Sequence, residues 1–187
     1  YINLLFIYLA RSYGFSLVDE QHGRRSAGLQ EALDAGRLDP ARQMGIVELE
    51  QRVLSMLVVE QGFICQNINL ALQALGLGGW TFTGYLARFV LGGGDVPGLG
   101  FRFHDTAPGV PSVPVGRDGV FEAFCPPYYK DMSEAVDAFM AMKWAAFDAD
   151  VPKPYLEPDK VVNAVPRPHP DTVALVKQYC QYCIDTY

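Results

Sequence analysis

The stretch FICQNINLALQALGLGGWTFTGY, residues 63–85, decides the fold prediction for this chain. Its first half continues an apolar pattern with three- and four-residue steps, which is typical of a helix. Glycine accepts left-handed backbone dihedrals, so Gly76, Gly78 and Gly79 predict an abrupt helix end. Apolar side chains lie on nearly every face, so we expect the helix to be buried in the core or in a subunit interface. The periodic positions are Leu54, Leu57, Val58, Gln61, Cys65, Ile68, Leu72 and Leu75.

The composition predicts one globular domain over residues 1–187. Half of the residues are hydrophobic and 19% are charged, which allows a sizeable core. The net charge of −6 argues against non-specific nucleic-acid binding, which needs a basic surface. The apolar start YINLLFIYLA is too short to span a bilayer, which takes about 20 residues. We therefore expect a cytoplasmic protein without membrane or nucleic-acid partners, and we interpret a chain that begins at Tyr1 as a fragment.

Local patterns predict six helices, one strand and one extended arm. The arm covers residues 151–170 and holds six prolines, which exclude a regular helix or a central strand. Asp131 and Glu134 resemble a capping box at the start of a helix. The predicted helices cover residues 1–13, 26–35, 39–75 with a break near 45, 86–91, 133–147 and 170–187, and the strand covers 99–105.

The residues around the glycine turn resemble the nitroreductase-like flavoprotein family. In that family a long central helix of the type Q-N-L-L-L-A-A-x-A-L-G-L-G ends in a glycine-rich turn, and a short strand that lines the flavin follows. The match covers about 25 residues of this chain. The matching positions are Gln66, Asn67, Leu70, Ala71, Ala74, Leu75, Gly76, Leu77 and Gly78.

The resemblance implies a fold, a cofactor and a site. The implied fold is α+β, with a long buried central helix and a short sheet, and the family forms an intertwined homodimer with flavin at the subunit interface. The implied chemistry is hydride transfer through FMN to a small organic substrate, with NAD(P)H as a possible electron donor. Carried over by position, the cofactor-binding residues are Thr81, Phe82, Thr83 and Gly84.

Three features depart from the family pattern. The family's phosphate-binding segment lies more than a hundred residues upstream of the helix, whereas the basic turn GRRSAG, residues 23–28, stands about 40 residues before it. We interpret that turn as coincidental, and the true segment as lost or as part of a missing N-terminal portion. Many members carry an acidic residue where Thr83 stands. The segment VGRDGVFEAFCPPYY and the proline arm also point to a divergent branch.

Other candidate residues each have a plain structural explanation. Arg102 and Arg117 are candidates for a flavin phosphate, although ordinary solvated arginines explain them too. Trp80 is either a ligand contact or a core residue. One C-x-x-C, Cys180 and Cys183, is an incomplete site, so we predict neither a disulfide nor a metal there.

No nucleophile–base motif is visible, and the catalytic residues stay unassigned. The absence of such a motif fits a flavin enzyme, whose cofactor carries the chemistry, and it fits a non-enzyme equally well. The alternatives are a degenerate member of the fold that has lost flavin and works as a binding or assembly module, and a mainly helical interaction domain unrelated to flavoproteins.

Overall fold

The computed structural model of the chain describes residues 1–10, 14–81, 84, 86–93, 97–104, 112–153 and 155–187. These residues form a mixed α+β structure, as expected, with two small sheets where one short sheet was predicted. They divide into two compact units, which we call unit 1 (Tyr1–Ile46 and Ala123–Tyr187) and unit 2 (Val47–Glu122). The sequence alone did not indicate this division.

Unit 1 contains five helices and a two-stranded parallel sheet. Strands β1 and β2 are parallel neighbours, with Leu17 opposite Met44 and both side chains buried. Helix α7 packs against α5 and α1, and its inward face carries Val176 and the fully buried Tyr179. The elements are α1 (Ile2–Tyr8), β1 (Phe15–Val18), α2 (Gln30–Asp34), β2 (Asp39–Gly45), α5 (Met132–Asp148), α6 (Pro158–Ala164) and α7 (Pro170–Thr186).

Unit 2 contains the long helix and a small antiparallel sheet. Helix α3 (Ile46–Ala74) runs for 29 residues and begins at the last residue of unit 1. A short helix follows, α4 (Ala87–Leu91), and then the sheet with strand order β3-β4-β5. The strands are β3 (Arg102–His104), β4 (Val113–Arg117) and β5 (Phe121–Glu122).

The long helix is confirmed, and beyond its first turns it is not buried in a core of the single chain, which leaves the expected subunit interface as a prediction. Ile46, Leu49 and Val53 are buried in its first turns. Beyond Val53 most of the apolar side chains are exposed, although residues 61–74 include no charged residue. The sequence pattern identified the apolar faces, and within the described part of the chain they are largely uncovered. The exposed large side chains of α3 are Leu54, Met56, Leu57, Val58, Val59, Phe63, Ile64, Ile68 and Leu70.

Residues 39–45, predicted to start a helix, form strand β2 instead. Asp39-Pro40 reads as a helix start, and the Asp39 carboxylate does accept a hydrogen bond from the Ala41 N–H at 2.9 Å. Pairing with β1 overrides that local signal, because the parallel strands bury Met44 and Gly45. Local helix propensity contributes little free energy, so strand pairing of this kind overrides it.

The proline arm is interrupted by a helix that the sequence analysis excluded. Helix α6 begins at Pro158, which occupies a first-turn position where its missing N–H costs no hydrogen bond. The final helix and the short helix α4 lie close to their predicted positions. Within the described part of the chain, no helix combines the length and apolar character that crossing a membrane requires.

Candidate functional site

The helix end that the sequence predicted is a complete C-terminal capping motif. The Leu77 N–H donates to the Leu72 carbonyl at 2.8 Å, and the Gly76 N–H donates to the Gln73 carbonyl at 3.1 Å. Gly76 has a φ of +70°, in the left-handed region that favours glycine. This pair of bonds is the Schellman arrangement, and it satisfies carbonyls that a helix end would leave without partners. The glycine therefore ends α3 for a local backbone reason.

The turn after α3 presents open backbone. A Cβ built on Gly76 or Gly78 would meet no atom within 4 Å, whereas one on Gly79 would come within 2.6 Å of the Leu72 Cδ1. The Trp80 side chain is 83% exposed, so it is not the core residue that one interpretation expected. An exposed tryptophan beside side-chain-free backbone is a surface that a flat ligand can approach.

Two of the four predicted cofactor-binding residues are described. Thr81 and Gly84 are exposed, and neither lies in a helix or a strand. Phe82 and Thr83 lie outside the described residues. The strand that the resemblance implies after the turn is not formed at residues 77–81.

Of the two arginines considered for a flavin phosphate, one is already engaged. The Arg102 guanidinium lies against Asp118, with its Nε 2.8 Å from the Asp118 Oδ1 and an Nη 2.8 Å from Oδ2. Arg117 is exposed at the end of β4. A carboxylate that already occupies the guanidinium competes with any phosphate, so Arg117 is the stronger candidate.

The glycine run that follows α4 closes a helix. Gly92 has a φ of +102°, and its N–H donates to the Arg88 carbonyl at 3.0 Å. A Cβ at Gly92 would stand 2.5 Å from the Pro97 carbonyl oxygen. Gly92 therefore serves both helix capping and a close backbone approach, which a residue with a side chain would obstruct.

Sequence reasoning missed a buried carboxylate in unit 1. Asp19 is fully buried and accepts five hydrogen bonds. The donors are the Tyr182 hydroxyl at 2.6 Å, the Tyr187 hydroxyl at 2.8 Å, the His22 Nδ1 at 2.8 Å, and the backbone N–H groups of Gln21 and His22 at 3.0 Å each. The cluster ties the end of α7 to the turn after β1. Its members are up to 168 residues apart, so no sequence motif signals it.

The charges in this cluster follow from its geometry. Burial by itself would raise the pKa of Asp19, but the hydrogen bonds from Tyr182, Tyr187 and His22 outweigh it and hold that pKa far below its ordinary value. Burial and the neighbouring carboxylate raise the pKa of both tyrosines. At neutral pH the tyrosines are therefore donors and Asp19 is the acceptor, which assigns the cluster a structural role.

A second missed feature is an apolar cavity of about 350 Å³ in unit 1 that three cysteines line. Burial, helped by the adjacent Cys183, raises the pKa of Cys180 to about 12, and burial raises the pKa of Cys125. All four cysteines are free thiols. Thiols held protonated in this way are poor nucleophiles and poor metal ligands. Across the described residues there is no group of three or more His, Cys, Asp or Glu side chains that could hold a metal ion.

Comparison with known proteins finds no match for this chain. No protein-family model, no curated protein and no solved structure matches the chain.

Proposed function

We propose that this protein is an FMN-dependent oxidoreductase that works as a homodimer and reduces a small organic acceptor. One element carries the proposal. Helix α3 bears the flavoprotein-like sequence, ends in an open glycine turn, and leaves its apolar faces uncovered in the single chain. In the family that the sequence resembles, the corresponding helix lies at the interface between two subunits, beside the flavin.

The glycine turn fits a flat ring held mainly by backbone groups. Gly76 and Gly78 leave room for close approach, and Thr81 and Gly84 are exposed. FMN bound there would supply hydride transfer from NAD(P)H to the acceptor. The protein would orient the ring and donate hydrogen bonds to its N5 and O4, which favours the electron-rich reduced form. Arg117 is the cation that we assign to the phosphate.

The homodimer follows from the length and polarity of α3. A helix of 29 residues is about 43 Å long, and nine large apolar side chains beyond Val53 are exposed along it. Monomeric proteins rarely expose contiguous apolar patches larger than a few hundred Å². A second copy offers the same apolar surface, in which residues 61–74 carry no charge, and would cover it by two-fold symmetry.

A flavin-free assembly module is the second candidate. The ion pair between Arg102 and Asp118 favours it, because that pair removes one of the two cations considered for the phosphate. Such a protein would keep the dimer and lack the cofactor. The visible absorption of the purified protein separates the two candidates, because bound flavin absorbs at about 450 nm and an assembly module does not.

The site itself is tested at Gly84. A branched side chain there would occupy the space of the ring, so we expect Gly84→Val to abolish FMN binding while α3 stays folded. Thr83→Ala should weaken binding by about 1 kcal/mol, the value of one hydrogen bond. The measurement is FMN retention through gel filtration, with circular dichroism as the folding control.

A matched control at Gly119 separates the effect of backbone strain from the effect of filling the proposed flavin site. Gly119 has a φ of +69° in the turn between β4 and β5, and a Cβ there meets nothing within 4 Å. Gly119→Val therefore strains a turn without filling the proposed site, and it should retain FMN. Full FMN occupancy in a folded Gly84→Val protein would show that the site lies elsewhere.

A further inference from the structure

A second cavity in unit 1 has the chemistry of a ligand site. It lies among α1, α5, residues 165–169 and the start of α7, and it encloses about 550 Å³. Sites for small organic ligands have volumes of about 300–1,000 Å³, with mostly apolar walls and a few polar groups that fix orientation. Phe6, Trp144, Val165 and Pro166 form part of the apolar wall.

The aromatic wall is held in position by an arginine whose charge is already offset. The Arg167 guanidinium lies 4.5 Å from the centroid of the Trp144 ring. One of its Nη atoms is 2.8 Å and 2.6 Å from the two carboxylate oxygens of Asp148. The stacked guanidinium restricts the orientation of the indole, and the Asp148 carboxylate neutralises it. Arg167 therefore shapes the cavity without adding net charge.

Lys143 supplies a cation whose charge is not offset. Its Nζ is 2.7 Å from the Asn3 Oδ1 and 5.5 Å from the centroid of the Trp144 ring. Among the described residues, no carboxylate lies within 4 Å of this ammonium group. An ammonium group has three donors, and one of them is used by Asn3. The remaining donors and the positive charge favour an anion at this wall.

Two further donors line the same cavity. Thr172 is 4% exposed and lines the cavity, and its hydroxyl can donate a hydrogen bond to a ligand acceptor. The His169 Nδ1 lies 3.2 Å from the Asp171 backbone nitrogen and 3.3 Å from the Asp171 Oδ2, so Nε2 is the ring nitrogen that can meet a ligand.

We propose that this cavity binds a small aromatic carboxylate. The carboxylate would lie against Lys143 and Thr172, and the aromatic body would contact the apolar wall beside Trp144. Among the described residues that line the cavity, Lys143 has no carboxylate within 4 Å, so its charge balances one negative charge and favours a monoanion. The apolar side chains of the wall disfavour a second charged group on the ligand body. This site belongs to unit 1 and does not depend on flavin binding at the turn of unit 2.

The test uses three ligands with one skeleton and different charge. Phenylacetate, 2-phenylethanol and phenethylamine are titrated into the chain of residues 1–187 by calorimetry. We expect phenylacetate to bind at least about tenfold more tightly than the neutral alcohol, as one charge-assisted hydrogen bond would predict. The amine should bind most weakly. Equal affinities for the three ligands, or no phenylacetate binding at about 10 mM, would overturn the proposal.

Two substitutions locate the binding within the protein. Lys143→Met keeps the aliphatic stem and removes the charge, and we expect it to weaken phenylacetate about tenfold while leaving 2-phenylethanol unchanged. Lys160→Met makes the same change on the exposed face of α6 and should leave both affinities unchanged. A Lys143→Met protein that keeps its preference for phenylacetate contradicts the assignment.

Two conservative substitutions of Thr172 test the role of its hydroxyl. Thr172→Val removes the hydroxyl at nearly constant volume, and Thr172→Ser keeps it. We expect the valine variant to bind phenylacetate several-fold more weakly and the serine variant to retain most of the affinity.

Quenching of Trp144 fluorescence reports binding at the same site. The chain has two tryptophans, so the measurement uses a Trp80→Phe background. The absence of quenching on phenylacetate binding would place the ligand elsewhere.

Discussion

At the scale of single residues, Asp19 organises the most polar part of the interior. It is fully buried, yet it is ionised because Tyr182, Tyr187 and His22 donate to it. A carboxylate in this environment is stabilised by its donors and destabilised by any change that removes its charge. The cluster joins the last turn of α7 to the turn after β1, so its loss should destabilise the whole of unit 1.

We predict that Asp19→Asn lowers the free energy of unfolding at pH 7 by about 2 kcal/mol, because the amide accepts fewer and weaker hydrogen bonds. The folded-state pKa of Asp19 is depressed, so its contribution is present above the unfolded pKa of about 3.9 and is lost as pH falls towards the folded pKa. Urea unfolding at several pH values measures this. The difference between variant and wild type should shrink below about pH 4.

The control for this prediction is Asp34→Asn. Asp34 is exposed and accepts a hydrogen bond from the Gln30 side chain at 2.9 Å. An exposed pair of this kind contributes little, so the substitution should change stability by less than about 0.5 kcal/mol. An Asp19→Asn protein as stable as this control at pH 7 would contradict the structural role of the cluster.

At the scale of elements, α5 shows a cap that the sequence specifies. The Asp131 carboxylate accepts a hydrogen bond from the Glu134 N–H at 2.9 Å, as the capping pattern predicted. The return bond differs from the capping box, because the Glu134 carboxylate accepts from the Lys130 N–H at 2.8 Å and not from Asp131. The acidic side chains also face the positive end of the helix dipole.

We predict that Asp131→Ala destabilises the protein by about 1 kcal/mol, the usual cost of removing a side-chain cap. Asp131→Asn keeps an acceptor at the same position and should lose much less. Thermal unfolding of both variants against wild type provides the measurement. Equal losses in the alanine and asparagine variants would mean that the cap is not what stabilises the start of α5.

At the scale of the whole molecule, the uncovered face of α3 predicts a homodimer. Light scattering should report twice the chain mass of 20.7 kDa. Ile64→Glu places a charge on that face, and because an unpaired charge buried in an interface is costly, we expect a monomer. Val120→Glu is the control, since Val120 is 72% exposed in the turn between β4 and β5, compared with 58% for Ile64. A wild-type chain that is monomeric would exclude the proposed interface.

The sequence by itself determined the features that depend on neighbours along the chain. Three features could be predicted in this way: the periodicity of α3, its glycine stop at Gly76 and the cap at Asp131. Each depends on residues within one or two helical turns. The α+β class was implied by the family resemblance, and the structure agrees with it at that coarse level. The candidate flavin residues came from a local resemblance, and they stay a prediction.

Tertiary structure decided everything that depends on distant partners. Residues 39–45 carry a good helix start, and pairing with β1 makes them a strand. Asp19 and Tyr187 meet across 168 positions, and the cavity beside Trp144 needs α1, α5 and α7 together. Burial and long-range hydrogen bonds outweigh a propensity difference of about 1 kcal/mol or less per residue. An apolar pattern likewise shows that a face must be covered, whereas folding decides whether the same chain covers it.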